Sequence, residues 1–287
     1  TDPSYHGQIL VQTFPLIGNY GVIPEDFESG APQVRAYIVR ECCQAPSNFR
    51  CEGTLESYLK AQNVIGLCGV DTRALTRAIR ENGVMNGIIT DSKTLTPAQQ
   101  ALLDSYEVRG AVQAVTTPEV RRYEAEGAQK HRVALWDFGT KRSLIQALRQ
   151  RGCQVTVWPA GSTAVEILAD EPEGIVLSEG PGDPAAEPAL THQIAQLCQA
   201  KRTVLGVGLG HELLALSQGA KTYRLKHGHR GANQPVKDLA TGRVRATSQN
   251  HGYAVDSESV QAPGRVCLVN VNDGTCAGIV YGDWGYP

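Results

Sequence analysis

The chain has 287 residues, with 27 Lys and Arg against 29 Asp and Glu for a net charge of −2, and is 41% hydrophobic and 20% charged. That length accommodates two domains of ordinary size, each with its own core. The near-neutral balance excludes a bulk basic field for nucleic acid, and no apolar run is long enough to span a bilayer, so a cytoplasmic globular protein is expected.

The first segment, residues 1–115, reads as a mixed α/β domain. Gln33–Arg40 alternates and is β-branched at its centre, which predicts a strand. Thr54 is a candidate N-cap for a short helix ending near Asn63, and Val64–Leu67 reads as a second strand. Asp71 then caps a helix over Ala74–Glu81, with Leu75, Ala78 and Ile79 on one face and Asn82-Gly83 closing it. Residues 116–131 are polar, charged and without sustained periodicity, and read as a linker to a second domain over 132–287.

Beyond the linker, strands and helices alternate. Strands are predicted at Arg132–Trp136, Gln154–Trp158, Gly174–Leu177 and Thr203–Gly206. Helices are predicted at Lys141–Arg151, Thr163–Ala169, Leu190–Ala200 and Glu212–Gln218. This order implies a doubly wound, mostly parallel sheet covered on both faces. Val244–Thr247, Tyr253–Val255 and Val266–Asn270 read as strands of a more antiparallel extension. The eight cysteines show no paired CxxC metal spacing, and several sit in apolar strand-like contexts, so they are expected to be free thiols.

Ligands of open α/β sheets bind where strands end. One such place is Ser178-Glu179-Gly180-Pro181-Gly182-Asp183-Pro184, a rigid loop whose backbone N–H groups suit a carboxylate or an oxyanion. A second is Gly206-Val207-Gly208-Leu209-Gly210-His211-Glu212, following a run that reads as a short buried strand. A glycine on each side of a sharp strand–turn–helix is the layout that displays a catalytic Ser or Cys above a sheet, yet the slot holds Gly208. The third is Ser248-Gln249-Asn250-His251-Gly252-Tyr253, a polar cluster between strands.

SEGPGDP, GVGLGHE and SQNHGYAVD, in this order and at these intervals, resemble the triad-type (class I) glutamine amidotransferase domain. The stretch Lys226–Asp238 (KHGHRGANQPVKD) narrows the resemblance to the small, glutamine-hydrolysing subunit of carbamoyl-phosphate synthase. TDPSYHGQI, FPLIGNYGV and GVDTRALTRAIRENGVMNGII look like that subunit's own N-terminal domain. The resemblance implies that a Cys in the elbow attacks the amide of glutamine, activated by a His–Glu pair further on. The ammonia released would pass to a large synthetase subunit making carbamoyl phosphate for arginine or pyrimidine synthesis. Gly180, Gly182, Leu209, Glu212, Asn250, Gly252 and Tyr253 occupy the family's glutamine-contacting positions. His211 does not correspond to the family's catalytic His, and a structural role is expected for it. No GxxxxGK[ST] loop occurs, so no cofactor is assigned to this chain, and ATP and Mg²⁺ are expected on the large subunit.

The departures from the family are specific. The nucleophile position is Gly208, and position 212 is Glu where the common form is Gln. Both ends of the chain are expected to be incomplete relative to the family, including the segment that would carry the His–Glu pair. A small subunit with disabled glutaminase chemistry is therefore expected, partnered by the large subunit and with glutamine as a possible ligand. The alternatives are a truncated or engineered copy of an active subunit, and a stand-alone glutamine-binding module.

Overall fold

The computed structural model describes residues 1–282. They form two compact units, Thr1–Arg109 and a second beginning at Gly110.

In the first unit, β1 (Ile9–Val11), β3 (Ala36–Ile38) and β5 (Ile65–Leu67) form a parallel sheet in the order β1-β3-β5, and β2 (Leu16–Ile17) pairs with β4 (Glu41–Cys42). The predicted caps are where the chain needs them. Thr54 Oγ1 accepts from Ser57 N (3.1 Å) at the start of α1 (Leu55–Ala61), and Asp71 Oδ1 accepts from Ala74 N (3.0 Å) at the start of α2 (Thr72–Asn82). Each side chain satisfies an amide that the first helical turn cannot. Gly83 ends α2 with φ 91°, a left-handed conformation that favours glycine. A further helix, α3 (Pro97–Ser105), was not predicted and carries a reciprocal Thr96–Gln99 capping box.

The second unit begins earlier than the sequence suggests. Residues 110–115, expected in the first domain, form α4 (Ala111–Val115), whose Ala111 and Val112 are buried, Val112 within the second unit's core. Residues 116–131, expected to be a linker, contribute β6 (Arg121–Tyr123), an antiparallel edge of the sheet. Thr116 and Thr117 fasten this segment, donating to the Asp137 carbonyl (2.7 Å) and carboxylate (2.7 Å). A five-residue helix and a three-residue strand are too short to show a period, which is why the stretch reads as featureless.

The sheet runs β10-β9-β7-β8-β6, with β7 (His131–Asp137), β8 (Cys153–Pro159), β9 (Gly174–Leu177) and β10 (Thr203–Gly206) parallel. Alternation along β7 divides the core: Ala134 and Trp136 join one buried cluster and Leu135 the other. On the first face lie Ile167 of α6 (Ala164–Ala169), Ile194 and Leu197 of α7 (Pro188–Cys198) and Leu213 of α8 (Leu209–Ser217). On the second, Leu144, Ile145 and Leu148 of α5 (Arg142–Gln150) cover Leu135, Val155, Val157 and Val176. The doubly wound parallel sheet expected from the βαβα order is thus present. One detail differs: β10 is an edge strand with only Val204 buried and Leu205 39% exposed, so it is not a buried strand.

A second, antiparallel sheet runs β12-β11-β13-β14. Its longest member, β11 (Thr222–Asp238), was not predicted, because Gly228, Gly231 and Pro235 read as loop chemistry. Register shifts between Arg224 and His229 and between Gly231 and Gln234 absorb those residues while pairing continues. The two strands predicted around Ser248–Gly252 are one, β12 (Val244–Val255). Strands β13 (Gly264–Asn270) and β14 (Cys276–Tyr281) complete the sheet, and Val255 and Cys276 pack on Ala215 and Ala220 at the end of α8. All eight cysteines are free thiols. Among the described residues, no helix is long and apolar enough to cross a membrane. The chain's last residues, 283–287, predicted as part of the second domain, lie outside the described residues.

Candidate functional site

The turn between β10 and α8 has the geometry its glycines predict. Gly208 sits at φ 53° and ψ −118°, and the helix begins immediately after it, at Leu209 rather than at Glu212. Close approach explains its two flanking glycines. A β-carbon on Gly206 would lie 2.7 Å from His211 Cα, and one on Gly210 would collide with the Leu177 carbonyl. The amide of Gly210 donates to the carbonyls of Ser178 and Val207, each at 2.9 Å, so the elbow is bolted to the end of β9 by backbone bonds.

That bolt brings two of the predicted loops together. Leu209, 3% exposed, packs in the core with Cδ2 3.0 Å from where a β-carbon on Gly180 would stand, and that β-carbon would also strike the Phe138 carbonyl. Gly182 turns the loop at φ 99°. Ser178 is fully buried, its Oγ donating to the Glu179 carbonyl (2.8 Å) and accepting from Phe138 N (2.8 Å). It is a loop clamp, not a displaced nucleophile. Cys198, the other candidate substitute, is buried on α7, and burial pushes its thiol up to about 11. A thiol so rarely ionised at neutral pH is a poor nucleophile.

The third predicted loop is not a loop. Asn250, Gly252 and Tyr253 are carried by β12, where Asn250 pairs with Arg230 and Tyr253 with Arg224 of β11. A polar run with a central glycine resembles loop composition, but its backbone groups are held by the neighbouring strand. Tyr253 lies on the side of the elbow, where the charges of Asp183 and Glu212 bear on its phenol. Burial, ahead of Asp183, pushes the Tyr253 phenol up. Asn250 and Gly252 lie on the same strand, Asn250 opposite Arg230.

Glu212 is one turn past Gly208, its N–H donating to the Gly208 carbonyl (3.1 Å). It is 5% exposed, and burial, followed by the like charge of Asp183, holds its carboxyl well above the usual carboxylate range. Asp183 and Glu179 were not singled out by sequence reasoning. Both belong to the SEGPGDP loop, and Glu179 stands 3.1 Å from where a Gly208 β-carbon would be. Their signal was the motif itself, read for its glycines rather than its acids.

His211 and His251 are held towards the neutral form. Burial, then the neighbouring His251, lowers His211 to about 4, and its Nε2 is buried without a hydrogen-bond partner. His251 is lowered too, chiefly by burial. Its Nδ1 donates to the Tyr253 carbonyl (2.6 Å), and its Nε2 meets the Gln249 amide at 3.0 Å. His251 packs edge-on against His229 (ring centroids 5.0 Å), whose Nε2 bonds Asp273 at 2.7 Å. The apex, Gly208, offers no thiol or hydroxyl as a nucleophile.

Comparison with known proteins agrees with this architecture. The family described as "Carbamoyl-phosphate synthase small chain, CPSase domain" matches residues 1–89, and "Glutamine amidotransferase class-I" matches residues 134–283. The chain is 48% identical over 282 residues to the carbamoyl phosphate synthase small chain of Clostridium perfringens, covering 97% of this chain and 78% of that one. It is 45% identical over 289 residues to the small chain of Symbiobacterium thermophilum, covering 98% and 79%. It is likewise 45% identical over 285 residues to that of Listeria innocua, covering 99% and 78%. The elbow, the glycine loop bolted to it and the N-terminal unit thus have one common explanation: this chain belongs to the carbamoyl-phosphate synthase small-chain family, with a class I glutamine amidotransferase domain.

Proposed function

We propose that this chain is a carbamoyl-phosphate synthase small subunit that retains a glutamine pocket and has lost the chemistry of glutamine hydrolysis. One observation carries the reading: the apex of a fully formed elbow is Gly208, at φ 53° and ψ −118° with α8 springing from it. The scaffold for a nucleophile is present and the nucleophile is not. In triad enzymes loss of the nucleophile costs on the order of 10⁶ in kcat, because the group works as a unit. Ser178 and Cys198 do not replace it, for the reasons of burial and bonding given above.

The partner is a large synthetase subunit, which would carry ATP and Mg²⁺ and make carbamoyl phosphate from free ammonia. The match of residues 1–89 to the small chain's own CPSase domain supports this over a stand-alone glutamine-binding module. Glutamine is the ligand favoured by the positions of Gly180, Gly182, Leu209, Glu212 and Tyr253 around the elbow.

The test mixes this chain with a matching large subunit and measures carbamoyl phosphate with glutamine or ammonium as nitrogen source. Formation from ammonium alone is the expected result. Formation from glutamine overturns the reading.

A further inference from the structure

The sequence contains two Asn-Gly pairs, Asn82-Gly83 and Asn86-Gly87. In such a pair the second residue has no β-carbon, which leaves its amide nitrogen free to approach the asparagine side chain. The fold treats the two pairs differently. Asn82 is the last residue of α2, and its Nδ2 donates to the Ala78 carbonyl (2.9 Å). Gly83 is buried, and its N–H donates to the Ile79 carbonyl (2.8 Å), so the helix end holds that nitrogen. Asn86 and Gly87 are both exposed and lie in an irregular stretch. The Gly87 N–H makes no hydrogen bond among the described residues.

Asn86 is also a clamp. Its Nδ2 donates to the Leu103 carbonyl (2.9 Å), one of the last-turn carbonyls that α3 cannot satisfy by itself. The same nitrogen donates to the Tyr106 carbonyl (3.0 Å) just beyond the helix. Tyr106 in turn donates its hydroxyl to the Gly7 carbonyl (2.6 Å), shortly before β1. One side-chain amide thus holds the end of α3 against the segment that follows α2.

We propose that Asn86-Gly87 is a site of spontaneous deamidation, and that its conversion releases the end of α3. The Gly87 nitrogen, losing its proton to solvent base, attacks Asn86 Cγ; the Cγ–Nδ2 bond breaks, and Nδ2 departs as ammonia. Water then opens the cyclic imide. Cleavage of the new Cγ–N bond gives aspartate, and cleavage of the original peptide C–N bond gives isoaspartate. Either product lacks the Nδ2 donors, and an aspartate there sets accepting oxygens against two carbonyls. While the clamp is closed its two bonds hold the departing nitrogen, so conversion proceeds from local openings.

Incubation of the full chain at mildly alkaline pH, followed by peptide mass mapping and isoaspartate analysis, reads the site. Asn86 is expected to convert first, to a mixture of aspartate and isoaspartate, while Asn82 stays intact as long as the chain is folded. In denaturing urea both pairs are expected to convert at similar rates, because the helix end no longer holds the Gly83 nitrogen. Gly87→Ala is the blocking variant: its β-carbon would meet only Ile9 Cδ1, at 3.8 Å, an ordinary contact that the fold accommodates. It is expected to slow conversion of Asn86 by about tenfold or more. Asn86→Asp is expected to lower the urea midpoint, and aged wild-type chain to fall towards it. The ammonia from this site is stoichiometric with the chain and needs no glutamine, which separates it from hydrolysis at the elbow.

Conversion of Asn82 as fast as Asn86 in the folded chain, or equal rates for wild type and Gly87→Ala, overturns the site. Intact Asn86 after an incubation that converts the urea-unfolded chain overturns it as well. An unchanged urea midpoint in Asn86→Asp overturns the clamp. Failure of Asn86→Asp to fold supports the clamp, and Gly87→Ala then tests the site by itself.

Discussion

Glu179 walls the apex of the elbow, with its Cβ 3.1 Å from where a β-carbon on Gly208 would lie. A side chain there would press on Glu179 and would occupy φ 53°, a left-handed conformation. Gly208→Cys is expected to destabilise the chain by about 1–3 kcal/mol, read as a lower urea midpoint. The variant is also expected to release no ammonia from glutamine. The imidazoles near the elbow are lowered, His211 to about 4, and bases this weak take a thiol proton poorly. Measurable hydrolysis by the single variant would show that a competent base lies within reach.

Glu212 makes a pH-dependent contribution with a definite sign. Its folded carboxyl is held above the ordinary value of 4.5, so below that value folded and unfolded chains are both protonated and nothing is lost. As pH rises past it, the unfolded chain ionises and the folded one resists, and stability falls. Glu212→Gln is expected to gain about 1–3 kcal/mol over wild type near pH 8 and to match it near pH 4. Equal urea midpoints at both pH values would contradict the burial argument.

The opposite slope belongs to His211. Its folded imidazole is lowered from 6.5 to about 4, so the unfolded chain takes up a proton first as pH falls through that window. The stability of neutral burial is present above 6.5 and is lost towards 4. His211→Asn is expected to remove a pH-dependent contribution on the order of 2 kcal/mol between about pH 7 and pH 5. Unfolding curves at these two pH values measure it.

Gly210 and Gly161 form a matched pair of substitutions. A β-carbon on Gly210 collides with the Leu177 carbonyl, whereas one on Gly161 meets nothing within 4 Å. Gly210→Ala is expected to cost about 3 kcal/mol or more and to part the elbow from β9, while Gly161→Ala changes stability by less than about 0.5 kcal/mol. Thermal melts of the two variants decide it.

Asp273 and His229 join the β13–β14 turn to β11 through the 2.7 Å bond between Oδ2 and Nε2. His229 pairs in register with His251 of β12, so the bond also steadies the strand that carries Asn250 and Tyr253. Asp273→Asn is expected to cost about 1–2 kcal/mol and to speed amide exchange around residues 271–275. Unchanged exchange there would mean that the turn is held by Thr275 and Asn270 alone.

The sequence alone determined what local chemistry determines. Thr54 and Asp71 announce helix starts because their side chains satisfy amides within three residues. The βαβα rhythm after residue 131 implies the parallel sheet, because parallel neighbours need a crossover between them. The glycines around position 208 predict the elbow, since only a residue without Cβ fits so near Leu177 and His211. The motifs carry the resemblance to the family to which the chain belongs.

Tertiary structure decided what depends on partners distant in the chain. Residues 116–131 read as a linker until Arg121–Tyr123 pairs with β8, and just before them Val112, expected in the first domain, enters the second unit's core. No strand is predicted over 222–238, where β12 and β13 supply the hydrogen bonds and bulges absorb the glycines. Glu212 is one acid among many in the sequence. It becomes a buried carboxyl facing a second one only when α8 packs on the Asp183 loop and on β12, because desolvation and like-charge repulsion exist only between groups that folding brings together.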